Sequence, residues 1–446
     1  MEYSEKIHHY VVEHQAEIIH TFKALVKIPS VKGVAELDAP FGQTCAKALE
    51  EVEALYVQNG LETELHKEDG YLLSFFGAGE KTLGLFAHMD VVDVSDDWIY
   101  TTPFQPIEQD GYLIGRGVLD DKSAVVISLY CAKILKELKI PFASRLVMFT
   151  GSNEETGMAD LEKYVRDWKA PDFSLVCDTA FPLYRGDKSG MNLWVTMNTP
   201  LRDIEDFHGG HSMNIILGKA SAQVKGATWT ETGISRHAAL PEGSENAGYK
   251  LAQRLSLRED LCESDREQML FLATVLEKQN GEIYGIEHCD ECGKLTCTNG
   301  IIKTENGKLT FGLDMRFGLS ANTEQIKNKM AAFFEAHNCS VVFEEEKTGY
   351  LIPENNPYIV ACLEAYSDFT GDKHPSAFIN AGGTYARKLP CAAEIGTTLE
   401  WGAPSNTPPG HGGAHQSDEC ISISGFLQAL ELTLQMIIKC DRIEAL

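Results

Sequence analysis

An apolar stretch from Leu83 to Ala87 runs directly into His88-Met89-Asp90. A short apolar run of this kind is consistent with a buried strand. Side chains at i and i+2 of a strand leave the same face, so Asp90 can lie beside the His88 imidazole. A metal-binding histidine usually needs such a neighbour to hold its ring and set its tautomer. Taken alone, H-x-D is equally an ordinary polar strand end. What shifts the balance is that acidic residues follow at the ends of later apolar strands: Asp120-Asp121, Glu154-Glu155 and Asp178.

The order of elements predicts where those strands sit. Helices are expected over 3–27, 41–58, 122–138 and 159–168, and strands near 61–67, 71–77, 112–115, 144–150 and 173–177. Alternation of strand, loop and helix argues for an α/β sheet with ligands at its strand ends. Beyond Gly186 the texture changes. Strands at 191–197, 220–230, 297–303, 308–317 and 339–345, with helices near 244–257, 265–278 and 323–337, predict an α+β module of about two helices on an antiparallel sheet. Helix 356–369, strand 391–396 and a helix at 419–439 complete the first domain. The expected domains are therefore 1–186 and 353–446, interrupted by an insert at 187–352.

Composition excludes some partners. The 446 residues carry 65 acidic against 39 basic side chains, a net charge of −26. Such a surface is repelled by nucleic acid and by anionic membranes, so neither is an expected partner. The N-terminal residues lack the basic and apolar regions of a signal peptide, and no apolar run is long enough to span a bilayer. The twelve cysteines are mostly scattered through apolar segments and read as reduced core thiols of a cytoplasmic protein. His288, Cys289, Cys292 and Cys297 resemble half a zinc site, but no second half follows at finger spacing.

Crowded carboxylates repel one another, and divalent cations relieve that crowding. Two histidines, His88 and the late His415, with several carboxylates suit zinc, manganese or cobalt. Asp120, Glu155 and Asp178 as ionised ligands would balance two divalent ions and one bridging hydroxide. Glu154 and Glu155 are neighbours and point in different directions, so one can bind metal while the other serves as general base. Each piece also has a plainer reading: a solvated loop for Glu-Glu, a helix N-cap for Asp120-Asp121.

In combination the motifs are specific. H-x-D, then Gly115-Arg116-Gly117 leading to Asp120-Asp121-Lys122, then Glu154-Glu155-Thr156-Gly157, Asp178, and His415-Gln416-Ser417-Asp418-Glu419 resemble the co-catalytic metallopeptidases that include carboxypeptidase G, aminoacylase and carnosinase. Trp98 before Pro103-Phe104, His237-Ala238-Ala239-Leu240-Pro241, Arg316 in Asp314-Met315-Arg316-Phe317, and Gly382-Gly383-Thr384-Tyr385-Ala386-Arg387 extend the match, the last three toward the bacterial PepV-type dipeptidase branch. The resemblance implies a mixed-sheet di-metal peptidase domain with an inserted α+β lid domain. It implies a dipeptidase that uses metal-activated hydroxide, or, as the alternative, an N-acyl-amino-acid amidohydrolase with the same metals and a different pocket.

The resemblance also assigns roles. His88, Asp120 and Asp178 are expected to hold one ion and Asp120, Glu155 and His415 the other, with zinc the expected metal and manganese or cobalt as alternatives. Asp90 orients His88, Glu154 is the base, and the Asp120–Asp121 bond is expected to be cis. His237 stabilises the oxyanion with Asn214 beside it, and Arg316 grips the carboxylate of a small peptide substrate. A monomer is expected rather than a homodimer. The sequence departs from the pattern at Ser123, where glycine is usual, and at Asp93, where proline is common. His411 competes with His415 as ligand, but the following Asp418-Glu419 favours His415. The segment between Asp178 and His237, which contains Asn214, is short for the branch.

Overall fold

The computed structural model describes residues 3–344 and 346–444; residue 345, the end of the strand expected at 339–345, lies outside them. The chain divides into two compact units. One comprises 1–186, 352–378 and 384–446; the other comprises 187–351 and 379–383. The short return of 379–383 to the second unit is not evident from sequence.

The first unit is built on a mixed sheet. Its strands lie in the order Glu62–His66, Tyr71–Phe76, Arg145–Gly151, Thr82–His88, Phe173–Thr179 and Ala392–Gly396, continuing to Tyr184–Asp187. The middle of the sheet is parallel: Thr82–His88 pairs with Arg145–Gly151 on one side and Phe173–Thr179 on the other. These strands read as unbroken apolar runs because both faces are covered, the usual state of parallel sheets. Leu85, Phe86, Leu146, Phe149, Leu175 and Val176 are all buried. The helices Lys122–Glu137, Ser4–Val26 and Ile423–Asp441 pack on one another, and Lys122–Glu137 and Ile423–Asp441 also on the central strand.

A small antiparallel sheet brings distant segments together. Cys420–Ser422 pairs with Tyr112–Ile114, which pairs with Ile107–Gln109 across the turn at Asp110-Gly111. Asp110 (φ 51°) and Gly111 (φ 84°) supply the left-handed backbone of a tight hairpin. A strand was expected at 112–115, without its partner Ile107–Gln109, and the last helix was expected from 419. The helix instead starts at Ile423, because Cys420–Ser422 is a strand and Ser422 Oγ accepts the Gly425 amide at 3.1 Å.

The second unit has more elements than expected. A four-stranded sheet orders Thr296–Glu305, Lys308–Phe317, Ser189–Met197 and Cys339–Phe343, and a separate three-stranded sheet holds Ile204–His208, Lys219–Val224 and Ala227–Thr232. The stretch read as one strand over 220–230 is a hairpin turning at Lys225 (φ 49°) and Gly226 (φ 74°). The helices Ala247–Ser256, Glu263–Glu277 and Thr323–Ala336 occur where helices were expected, near 244–257, 265–278 and 323–337. No helix among the described residues is long and apolar enough to cross a membrane.

Candidate active site

Parallel register decides the site. His88 stands opposite Gly151 at the ends of adjacent strands, and Asp178 lies near the end of the next. Ligands in open α/β sheets gather at these carboxyl ends. Past Gly151 the chain turns sharply, and four successive amides are captured by two buried carboxylates. Ser152 N (2.7 Å) and Asn153 N (2.9 Å) donate to Asp160 Oδ2. Glu154 N and Glu155 N donate, each at 3.1 Å, to the two oxygens of Asp90. That use of Asp90 refines its expected role. His88 Nδ1 lies 2.9 Å from the Asp90 backbone carbonyl and 3.5 Å from its carboxylate, so the main chain makes the closer contact with the ring while the carboxylate holds the glutamate loop.

Asp120 and His415 arrive on the two chains joined by the small sheet. Glu419 ties those chains together. Its carboxylate accepts Arg116 Nη1 at 2.6 Å and the amides of Gly117 (3.1 Å), Leu119 (2.8 Å) and Asp120 (3.1 Å). A buried carboxylate is tolerated when its lone pairs are filled in this way. The next peptide bond, Asp120–Asp121, is cis. Asp121 Oδ2 then accepts the His88 amide at 3.3 Å. His415 (φ 64°) and Asp418 (φ 54°) both take the left-handed backbone that non-glycine residues rarely adopt. Asp418 accepts the amides of Ile99 and Tyr100 and lies 2.7 Å from His411 Nδ1. His411 is thus engaged by Asp418, while His415 reaches the carboxylates.

The result is a cluster within the first unit. His88 Nε2 lies 3.1 Å from Asp120 Oδ1 and 3.9 Å from Asp178 Oδ2. His415 Nε2 lies 3.0 Å from the other Asp120 oxygen and 3.1 Å from Glu155. Asp120 therefore stands between the two histidines. Two sets of potential metal-ligand atoms lie within 4.8 Å of one another: His88, Asp120 and Glu155, and His88, Glu154 and Asp178. Glu154 falls in the second set, so proximity alone does not separate the two glutamates by role. Their surroundings differ: Glu155 contacts His415, whereas Glu154 Oε1 is buried without a hydrogen bond.

Electrostatics favour a cation here. Burial raises Glu154 well above its ordinary value, reinforced by the charge of Asp178; burial and Asp120 do the same to Asp178, and raise Glu155 less. Burial also opposes charge on Asp120, but the His415 and His88 imidazoles beside it outweigh that and hold this carboxyl far below its usual range. His415 is raised to about 11 because Asp120 and Glu155 overcome its burial. His88 is likewise raised, by Asp120 and Asp90. Without metal, the cluster keeps its charges together only by retaining protons. Its imidazole nitrogens and carboxylate oxygens fit divalent cations that would replace them. His88 Nε2, buried and 3.1 Å from Asp120 yet without a well-formed hydrogen bond, is a suitable donor atom.

The second unit holds the remaining assigned residues. Ile215 and His237 form an antiparallel bridge, and Ala238 N donates to Asn214 O at 2.8 Å, so the Asn214 and His237 segments are adjacent. Arg316 lies on the four-stranded sheet with Nε and Nη2 each 2.7 Å from Asp314, leaving the Nη1 edge outside that fork. A Cβ at Gly190, opposite the arginine, would come within 3.2 Å of Arg316 Cδ, a tight contact. His288 pairs with Ser320 at 2.9 Å, and the His288–Cys297 cluster forms no metal-ligand set among the described residues. A third set, Asp203, Cys262 and Asp265, is occupied by backbone: Asp265 accepts the amides of Arg202, Asp203 and Ile204.

The roles of Asp160, Asp121 and the cradle built by Glu419 were not legible. Asp121 and Glu419 carried a signal only through their places in the Asp120-Asp121-Lys122 and His415 motifs. Asp160 reads as an ordinary acid in the first turn of helix Ala159–Asp167.

A sheet-end cluster of two imidazoles and several carboxylates, able to bind divalent cations, defines a metallohydrolase-like centre. Residues 84–439 match the model of Peptidase family M20/M25/M40, and the chain belongs to that family. It is therefore a hydrolase of the peptidase class. A protein of Staphylococcus epidermidis that carries the provisional name dipeptidase is 25% identical, over 96% of this chain and 97% of its own. A similarly named protein of Staphylococcus haemolyticus is 26% identical, over 87% of this chain and 91% of its own. Among solved structures, human carnosine dipeptidase 1 aligns with a TM-score of 0.65 at 14% identity, covering 99% of both chains. An M20 family metallo-carboxypeptidase of Sulfolobus solfataricus aligns at 0.60 and 15% identity, covering 96% of this chain and all of that one. At these identities the solved structures establish the fold.

Proposed function

We propose that the protein is a dipeptidase that works with two divalent metal ions, zinc being the first choice and manganese or cobalt able to substitute. The observation that carries this reading is the convergence of His88, Asp120, Glu155, Asp178 and His415 at the parallel strand ends. In it His88 and Asp178 serve one ion, Glu155 and His415 the other, and Asp120 both. Divalent ions held there would supply an acidified water and a polarised substrate carbonyl.

The protein's own groups do the rest. Glu154, with a buried oxygen free of hydrogen bonds, takes the proton from the attacking water and later delivers it to the leaving amine. Glu155 is kept from that task by His415. His237 donates to the oxyanion as the carbonyl becomes tetrahedral, with Asn214 beside it. Arg316, locked by Asp314 on one edge, offers its remaining edge to the substrate's free α-carboxylate.

A panel of dipeptides, their C-terminal amides and N-acyl-amino acids, assayed with added zinc, manganese or cobalt, tests the reading. Dipeptides should be hydrolysed fastest and their amides poorly. Arg316→Lys should raise KM for dipeptides about 10-fold or more, because a lysine cannot reproduce the planar fork. Preference for acylated amino acids would instead establish the amidohydrolase alternative, and equal cleavage of acids and amides would remove the Arg316 role.

The proposed monomer is tested by mixing two inactive variants, Glu154→Gln and His237→Ala. If one chain supplies both groups, no complete site can form and the mixture stays inactive. Regained activity would instead indicate an exchanging dimer in which His237 serves the other subunit.

A further inference from the structure

The glycine-rich Gly382-Gly383-Thr384-Tyr385 motif has no part in the reaction so far. Its tyrosine is wholly buried in the first unit. The ring lies edge-on to Phe149 (centroids 5.4 Å apart) and to the His88 imidazole (6.4 Å), at the ends of the two central parallel strands. Its hydroxyl donates to Asp160 Oδ2 at 2.6 Å, the same oxygen that accepts the amides of Ser152 and Asn153. The fit requires a glycine: a Cβ at Gly151 would lie 2.0 Å from Tyr385 Oη and 2.4 Å from Asp160 Oδ2.

These contacts lie directly behind Glu154. Glu154 Oε1 is buried and has no hydrogen bond, so its aim comes chiefly from the backbone beneath it. That backbone is fixed on one side by Asp90, through the Glu154 and Glu155 amides, and on the other by Asp160. Asp160 in turn is a buried carboxylate whose only hydrogen-bonding side chain among the described contacts is Tyr385; its other donors are backbone amides.

We propose that Tyr385 is a positioning residue for the general base: through Asp160 it fixes the Gly151–Asn153 turn from which Glu154 is aimed. The proposal rests on the reading of Glu154 as base. Displacements near 1 Å at a reacting group can cost up to 100-fold in rate, and losing one hydrogen bond from a three-donor oxygen should cost less, about 10-fold.

The experiment is a double-mutant cycle on the metal-loaded enzyme. Tyr385→Phe keeps the ring and removes only the hydroxyl. It should lower kcat about 10-fold, with KM and bound metal unchanged. In a Glu154→Gln background the same substitution should have little further effect on the residual rate, because the group it positions is already gone. Wild-type kcat in Tyr385→Phe would overturn the proposal. So would an equal loss in both backgrounds, which would place the action of Tyr385 elsewhere, or a loss of metal matching the loss of rate, which would place it at His88. Failure of the underlying reading looks different: Glu154→Gln alone would then retain wild-type activity or lose bound metal.

Discussion

Exhaustive chelation will abolish hydrolysis, and zinc, manganese or cobalt will restore it, because His88, Asp120, Glu155, Asp178 and His415 together hold more negative charge than buried groups tolerate unpaired. Full activity in demetallated protein would sink the mechanism. The same removal predicts a pH effect on stability. In the metal-free protein Glu154, Asp178 and Glu155 are raised above their ordinary 4.5, 3.8 and 4.5. His415 is raised from 6.5 to about 11. A group whose folded value is raised gives its stability in full below its unfolded value and loses it as pH rises toward the folded one. The acids and His415 therefore act in the same direction between about pH 5 and 8. Asp120, which is lowered, gives stability above its unfolded value of 3.8 and loses it only in stronger acid, outside that window. Metal-free protein should melt at a lower temperature at pH 8 than at pH 5, and adding metal at pH 8 should raise the melting temperature. Identical metal-free melting at both pH values would show that the cluster is not charge-frustrated as described.

Glu154→Gln should lower kcat by about 100-fold or more, the usual consequence of removing a general base, while metal content stays at the wild-type level. The amide keeps the shape of the side chain and cannot take the proton. Two measurements separate the possibilities: metal analysis of the purified variant and its kcat on a dipeptide. Because Glu154 lies close to His88 and Asp178, loss of one metal ion in this variant is the informative alternative. It would mean that Glu154 is a ligand, and Glu155→Gln should then show the catalytic defect with metal retained.

Much of the site was legible because ligand chemistry is written in residue types at strand ends. His88, Asp120, Glu154, Glu155, Asp178 and His415 are each preceded or followed by a run whose apolar pattern marks an element, so their clustering follows once the strands are taken as parallel. Asp160 carried no comparable mark, and Asp121 and Tyr385 had only their places in the Asp120-Asp121-Lys122 and Gly382-Gly383-Thr384-Tyr385 motifs. Each is a polar residue in a stretch that reads as ordinary helix start or loop, and its partner is a backbone amide or a residue far along the chain: Tyr385 and Asp160 are 225 positions apart. The Asp110-Gly111 and Lys225-Gly226 hairpins were missed for a local reason, since the left-handed turn divides what looks like continuous chain.

The sequence by itself determined the alternating α/β framework, the second α+β unit and the identity of the potential ligands, because hydrophobic period and residue chemistry are local properties. Only the tertiary structure decided how those ligands are held. The pairing of Cys420–Ser422 with Tyr112–Ile114 brings His415 and Asp120 together, Glu419 fills the turn between them, and Asp90 spends its carboxylate on the glutamate loop rather than mainly on His88. Buried carboxylates must find donors wherever the folded chain presents them, and that supply is a property of the packed backbone, not of the residues beside them in sequence.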